Sequence, residues 1–284
     1  MKKSSLILLS AMVFSLNAIA QPVLKTPAPS PSQTVTQAFG LGEVKVEYSR
    51  PSVKGRVIYG DLVPFAKIWR TGANNATKIT FADTVKVGGT VVPNGTYAIY
   101  TMPGQSEWEV MLYKDLTLGG DVDNYKTDKE AMRIKVKTST LSDKVETFTI
   151  AFNDVTTTSC NLDLMWDKTK VSIPLSADID TKIMSNIEAI MIKDKRPYFA
   201  SANYYYENGK DLNKALEWVN KAVAENPNAY WMSHLKAKIL LKQNDYKGAI
   251  AAATISLEKA TADNDGSYIK QNEKLIADAK KMVK

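Results

Sequence analysis

The sequence predicts a β-plus-α protein: an antiparallel β-sandwich, jelly-roll-like in its many short strands, followed by a small domain of helical repeats. Three observations predict it. Apolar and polar residues alternate from Gln33 to Leu175, which is the mark of strands wet on one face. At Ser176 the period lengthens to that of a helix. Beyond Arg196, small and aromatic residues recur at a spacing of about 34 residues.

The N-terminus reads as a leader. Met1-Lys2-Lys3, the apolar run from Leu6 to Leu16 and Ala18-Ile19-Ala20 before Gln21 are the three parts of a secretory signal peptide in order, the run being too short to span a membrane. Residues 1–20 are assigned to it, and the Pro- and Ser-rich residues 21–32 to a flexible linker. No Cys follows the cleavage site to carry a lipid anchor, and no other apolar run approaches span length. The mature chain is expected outside the cytoplasm, in the periplasm.

Residues 33–175 form the predicted β-domain. Val44, Val46 and Tyr48, then Met132, Ile134 and Val136, then Phe148, Ile150 and Phe152 each alternate with polar neighbours. Leu162, Leu164 and Trp166 continue to Val171, Ile173 and Leu175 across Asp167-Lys168-Thr169, which reads as a hairpin turn. Gly88-Gly89, Pro93-Asn94-Gly95 and Pro103-Gly104 punctuate the middle of the domain as further turns. About nine short strands in such a length favour a sandwich.

Residues 176–195 hold an amphipathic helix, Ala177 to about Lys193, with Ile179, Ile183, Ile187 and Ile190 on one face. In residues 196–284, Tyr206, Ala215 and Ala222 before Pro227 take the aromatic and small positions of a tetratricopeptide repeat. Ala237 and Ala249 repeat the pattern, and Asn264 to Lys281 would cap it. Asn203, Ser233 and Lys236 depart from the pattern. Two degenerate units suit either a groove for a peptide or protein partner or a plain helical bundle.

Composition excludes several classes of function. Without Lys2 and Lys3, 35 cations face 30 acids, too weak an excess for nucleic acid. The chain has one Cys and one His, Cys160 and His234, in different halves. A disulfide, a zinc site and a Cys–His pair are therefore not expected. Asp121-Val122-Asp123-Asn124 starts like a calcium loop, but Lys126 and Met132 stand where Gly and Glu are needed; it reads as a solvated loop. No nucleophile elbow, phosphate loop or dinucleotide fingerprint occurs, and no cofactor is expected.

The charge is not evenly spread. Between Arg50 and Lys78 there are six cations against the single acid Asp61. Arg50, Lys54, Arg56, Trp69, Arg70 and Asn74 are the candidate ligand-binding residues. Arginines offer planar forks to carboxylate or phosphate, Trp69 a ring face, and Asn74 an amide. The competing reading makes Arg70 a structural arginine paired with Asp61 or Glu47, and Trp69 a core residue.

In the same stretch, Ser49-Arg50-Pro51-Ser52-Val53-Lys54-Gly55-Arg56, Leu62-Val63-Pro64 and Trp69-Arg70-Thr71-Gly72-Ala73-Asn74 stand in a particular order. They are followed by Pro93-Asn94-Gly95-Thr96-Tyr97 and Glu107-Trp108. This order of strings resembles the bacterial domain-of-unknown-function family 2911. The resemblance runs from about Gln33 to Leu175 and implies an exported protein, with tetratricopeptide-like segments following in some members. It implies no activity. The family pattern has an acid where this chain has Asn75.

The first functional expectation is a non-catalytic binding or scaffold protein. Its basic pocket would hold the anionic group of a small molecule or glycan, and its helical module a peptide or protein. The second is an envelope enzyme using Arg50, Arg70 and Asn74 to stabilise an oxyanion, with Asp61 as base; the lack of paired carboxylates or an activated nucleophile weighs against it. The third is a purely structural role.

Overall fold

The computed structural model describes residues 26–191 and 196–283. The expected leader, the start of the linker and Ile192 to Lys195 of the expected connecting helix lie outside the described residues. The chain divides into two compact units between Asp178 and Ile179.

The first unit is a nine-stranded antiparallel sheet. Its strands are β1 (Ser32–Phe39), β2 (Gly42–Ser49), β3 (Thr77–Phe81), β4 (Val85–Val87), β5 (Thr90–Val92), β6 (Gly95–Met102), β7 (Glu107–Tyr113), β8 (Glu130–Asn153) and β9 (Ser159–Ser176). The spatial order β1-β2-β3-β6-β7-β8-β9-β4-β5 is a meander with one excursion, in which the β4–β5 hairpin leaves after β3 to pair with β9. That hairpin turns on Gly88 and Gly89, both at positive φ (55° and 87°), which a two-residue turn matched to strand twist requires.

Alternation placed the core correctly. Val44, Val46, Ile79, Val110, Phe148, Ile150, Leu164 and Trp166 pack in one buried cluster. The boundaries differ from expectation in β8 and β9. Residues 130–153, expected to hold two strands, form one 24-residue strand whose register shifts between Thr140 and Thr149. Asp167-Lys168-Thr169 is not a hairpin: β9 runs straight through, and Asp167 alone takes a left-handed φ of 52° opposite the irregular part of β8. The extra residues lie in β8, where an irregularity of this kind interrupts the pairing without ending either strand. Ser52, beyond the end of β2, pairs with Thr147 of β8.

The outer face of the sheet carries a smaller core. Ala76, Ala98, Tyr100, Met111 and Tyr113 are buried there, packed by Ile68, Met102, Leu118, Val122 and Tyr125. The last three come from the loop between β7 and β8, which therefore lies on the sheet.

The second unit has six helices: α1 (Asp180–Ile190), α2 (Tyr198–Glu207), α3 (Leu212–Glu225), α4 (Tyr230–Lys242), α5 (Tyr246–Ala262) and α6 (Gly266–Met282). Asp211, Asp245 and Asp265 cap α3, α5 and α6 by accepting from main-chain N–H groups at 2.8–3.2 Å. Small residues at the helix contacts, Ala202, Ala215, Ala237, Ala249 and Ala253, are wholly buried and let the helices approach closely. Ile187 of α1 packs with Tyr205 and Trp218, so the connecting helix belongs to this unit.

Candidate functional site

The cation-rich stretch lies at the end of β6. Trp69 pairs with Thr101 through N–H···O bonds of 2.7 and 2.9 Å in both directions. This short rung imposes strand alternation on its neighbours. Trp69 points inward, against Tyr59, Trp108, Phe148 and Trp166. Ile68 packs on the outer-face core, and Arg70 follows it to that side. The Trp69 indole N–H donates to Gly72 O at 3.1 Å.

The chain then turns sharply. Thr71 and Asn74 take left-handed backbone conformations, and Gly72 sits at φ 147°. A side chain at Gly72 would meet Ser49 O at 3.0 Å and Thr77 Oγ1 at 3.2 Å. The Thr77 hydroxyl donates to Thr71 O. Asn74 Nδ2 donates to Ser30 O (3.1 Å) and Ser49 Oγ (3.2 Å), fastening the turn to the end of β2.

The candidate residues do not form one basic pocket. Arg50 donates from Nε to Phe148 O (3.1 Å) and from Nη2 to Thr149 Oγ1 (2.8 Å), stapling the corner after β2 to β8. Arg56 closes its own turn on Val53 O (3.0 Å) and Ser52 O (2.5 Å). Lys54 is exposed, with its main-chain N–H on Glu146 Oε1 at 2.8 Å. Trp69 is a core aromatic, and Asn74 a structural amide.

Arg70 differs from the others. It is half-buried, and its Nε is closed to solvent with no acceptor. Neither acid left open by the sequence is its partner: Asp61 is exposed, and Glu47 pairs with Lys45 at 3.0 Å. The guanidinium lies against Gly120, where an added Cβ would come within 3.0 Å of Nη1 and 3.4 Å of Asn74 O.

Around it, tyrosines fix the β7–β8 loop. Tyr100 OH donates to Gly119 O at 2.7 Å, and Tyr125 OH to Glu130 Oε1 at 3.1 Å; Tyr113 OH accepts from Lys126 N–H at 3.1 Å. The Tyr113 and Tyr125 rings stack at 4.5 Å. Lys129 binds Asp115, and Arg133 binds Glu109 and Glu130. Burial pushes Tyr100 up to about 12, with Tyr113 and Asp115 adding and Arg70 opposing, so it stays a neutral donor at physiological pH. Bonds from Lys129 and Thr117 hold Asp115 well below the usual carboxylate range.

Beside the Asn74 fastening, a polar groove of about 260 Å³ is lined by Ser32, Thr34, Glu47, Ser49, Asn75 and Lys78. Such an arrangement can bind an anion; it presents no activated nucleophile. Cys160 sits in the core with its thiol pushed up to about 11 by burial. His234 is buried in the helical unit. Among the described residues, no three His, Cys, Asp or Glu side chains cluster as metal ligands.

Tyr100, Tyr113, Tyr125 and Gly120 are not among the residues the sequence singles out. The available signal was Ala98-Ile99-Tyr100, apolar at both parities, which marks a strand covered on both faces. The β7–β8 loop, read as solvated at Asp121 to Asn124, carries the cover.

The class of protein is thus an antiparallel β unit in which a half-buried guanidinium lies under a tyrosine-held loop, continued by helices. Residues 30–175 match the family described as Protein of unknown function (DUF2911), and the chain belongs to that family. The match spans the β unit only. No curated protein and no solved structure matches the chain.

Proposed function

We propose that this is an exported, non-catalytic binding protein whose β unit holds an anionic group on Arg70, while its tetratricopeptide-like helical unit engages a peptide or protein. The observation that carries the reading is the Arg70 guanidinium, half-buried with an Nε that has no acceptor. An unsatisfied charged donor is expensive to keep out of water, and the negative charge of a carboxylate from a peptide, sugar acid or glycan, held against the guanidinium, would offset that cost. Arg50, which an oxyanion-stabilising enzyme would set beside Arg70, is already engaged on Phe148 and Thr149. For the helical unit, support comes from a groove of about 390 Å³ between α3, α4 and α5, floored by Leu216, Val223, Leu240 and Ala252.

Thermal-shift measurement against carboxylates, sugar acids and phosphates tests the site. A ligand at a hundred times its Kd stabilises by about 2.7 kcal/mol, a Tm rise of several degrees at roughly 2–4 °C per kcal/mol. The rise should vanish in Arg70→Ala and shrink in Arg70→Lys, which keeps charge and loses the fork. An equal rise in Arg70→Ala, or none with any anion in the wild type, would remove the site.

A further inference from the structure

The loop from Lys54 to Lys67 is tied down by main-chain bonds yet presents three of its apolar residues to water. Main-chain bonds pin it from within: Arg56 N–H to Val53 O (3.0 Å), Val63 N–H to Ile58 O (2.8 Å), Gly60 N–H to Val63 O (2.9 Å) and Ala66 N–H to Pro103 O (2.9 Å). Its inward side chains Ile58 and Val63 are at most 4 % exposed, and Tyr59 packs on Trp69, Trp108 and Trp166. Its outward ones are Val57, Leu62 and Phe65, at 64, 43 and 36 % exposure.

The three fall within nine residues of one another on this loop, and a main-chain bond from Leu62 N–H to Val57 O (3.3 Å) ties the stretch that carries the first two. Phe65 lies over Gly60, where an added Cβ would touch its ring at 2.8 Å. The same loop exposes Lys54, Arg56 and Lys67 against Asp61 alone. Scattered surface apolar residues need no explanation, whereas three on one rigid loop, rimmed by cations, do.

We propose that the 54–67 loop docks the protein on an anionic phospholipid surface. Val57, Leu62 and Phe65 enter the interface between headgroups and acyl chains, and Lys54, Arg56 and Lys67 meet the headgroup phosphates. Binding of this kind scales with apolar area buried plus attraction of cations to acidic lipid. Two features favour lipid over a protein partner. Three exposed cations against one acid, beside exposed apolar side chains, match acidic headgroups lying over acyl chains, which accept such side chains without a matching cavity. Its backbone is already fixed, so insertion orders nothing further. The inference is independent of Arg70, which faces the outer side of the sheet.

Co-sedimentation of the mature chain with phosphatidylglycerol–phosphatidylcholine vesicles, against pure phosphatidylcholine, is the test. The wild type should pellet with the acidic vesicles and much less with the neutral ones. Partitioning should fall at least about tenfold in Leu62→Ser/Phe65→Ser, given the apolar area lost, and about fivefold for each cation removed in Lys54→Gln/Lys67→Gln. All four positions are exposed, so folding should be unchanged by circular dichroism. Because Cys160 is 3 % exposed, Leu62→Cys can be labelled selectively with nitrobenzoxadiazole, whose emission should shift to the blue on the vesicles. The proposal is overturned if the wild type stays in the supernatant, as a protein-docking loop would, if the serine variant pellets like the wild type, or if the label is unmoved while the protein pellets.

Discussion

At Gly72, whose φ is 147°, a Cβ would stand 3.0 Å from Ser49 O and 3.2 Å from Thr77 Oγ1. Gly72→Ala should therefore destabilise the β unit by about 1–3 kcal/mol, combining backbone strain with a forced shift of main-chain oxygen, and urea unfolding would show it; an unchanged midpoint would mean the turn relaxes freely. The strings that carry the resemblance to the family divide along this line. Arg50, Arg56, Gly72 and Asn74 serve the corner where β2, β8 and the Trp69 turn meet, and Arg70 alone among these arginines keeps a buried donor without an acceptor. Residue types announced the cations; they could not announce their acceptors. Arg50 binds a main-chain carbonyl 98 residues away, and carbonyls carry no sequence signature. Inward-facing positions were legible because a strand's period of two fixes its faces whatever its partners.

Element by element, the sequence was most informative where a pattern is local and least where one element bends another. The caps that Asp211, Asp245 and Asp265 provide rest on chemistry confined to three residues each. Asp167-Lys168-Thr169 reads wrongly as a turn because a polar triplet looks alike in a hairpin and in a bulge; its neighbour β8 decides. Between α4 and α6, His234 Nδ1 and Asn272 Oδ1 share a 2.7 Å bond, and Asn272 Nδ2 donates to Ser256 Oγ at 2.9 Å. Burial lowers the His234 pKa below its ordinary 6.5, the Asn272 bond opposing. The unfolded chain then takes up the proton at higher pH than the folded one, so this contribution to stability is complete above pH 6.5 and is lost as pH falls below it. Tm of the helical unit should drop between pH 7.5 and 5.0, and by less in His234→Gln. Equal acid sensitivity in both would assign the effect to other groups.

For the whole molecule, each unit closes its own core. Phe39 to Leu175 supply one and Ile187 to Ile239 another, with no residue in common. A fragment ending at Asp178 should thus unfold cooperatively with a β-type circular dichroism spectrum, and a non-cooperative transition would show that the β unit depends on the helices for its stability. The division was legible as a change of period at Ser176; the outer-face core was not, because it depends on a loop folding back over Tyr100 and Tyr113. The tryptophans are divided too. Trp69, Trp108 and Trp166 stand with ring centroids 5.9–6.1 Å apart along the Trp69 contacts, while Trp218 and Trp231 belong to α3 and α4. Indoles this close share their electronic transitions, so the β unit carries a built-in optical gauge. Its coupled near-ultraviolet bands would fade when the Trp69 turn lifts from the core, and would report that event apart from the melting of the helices.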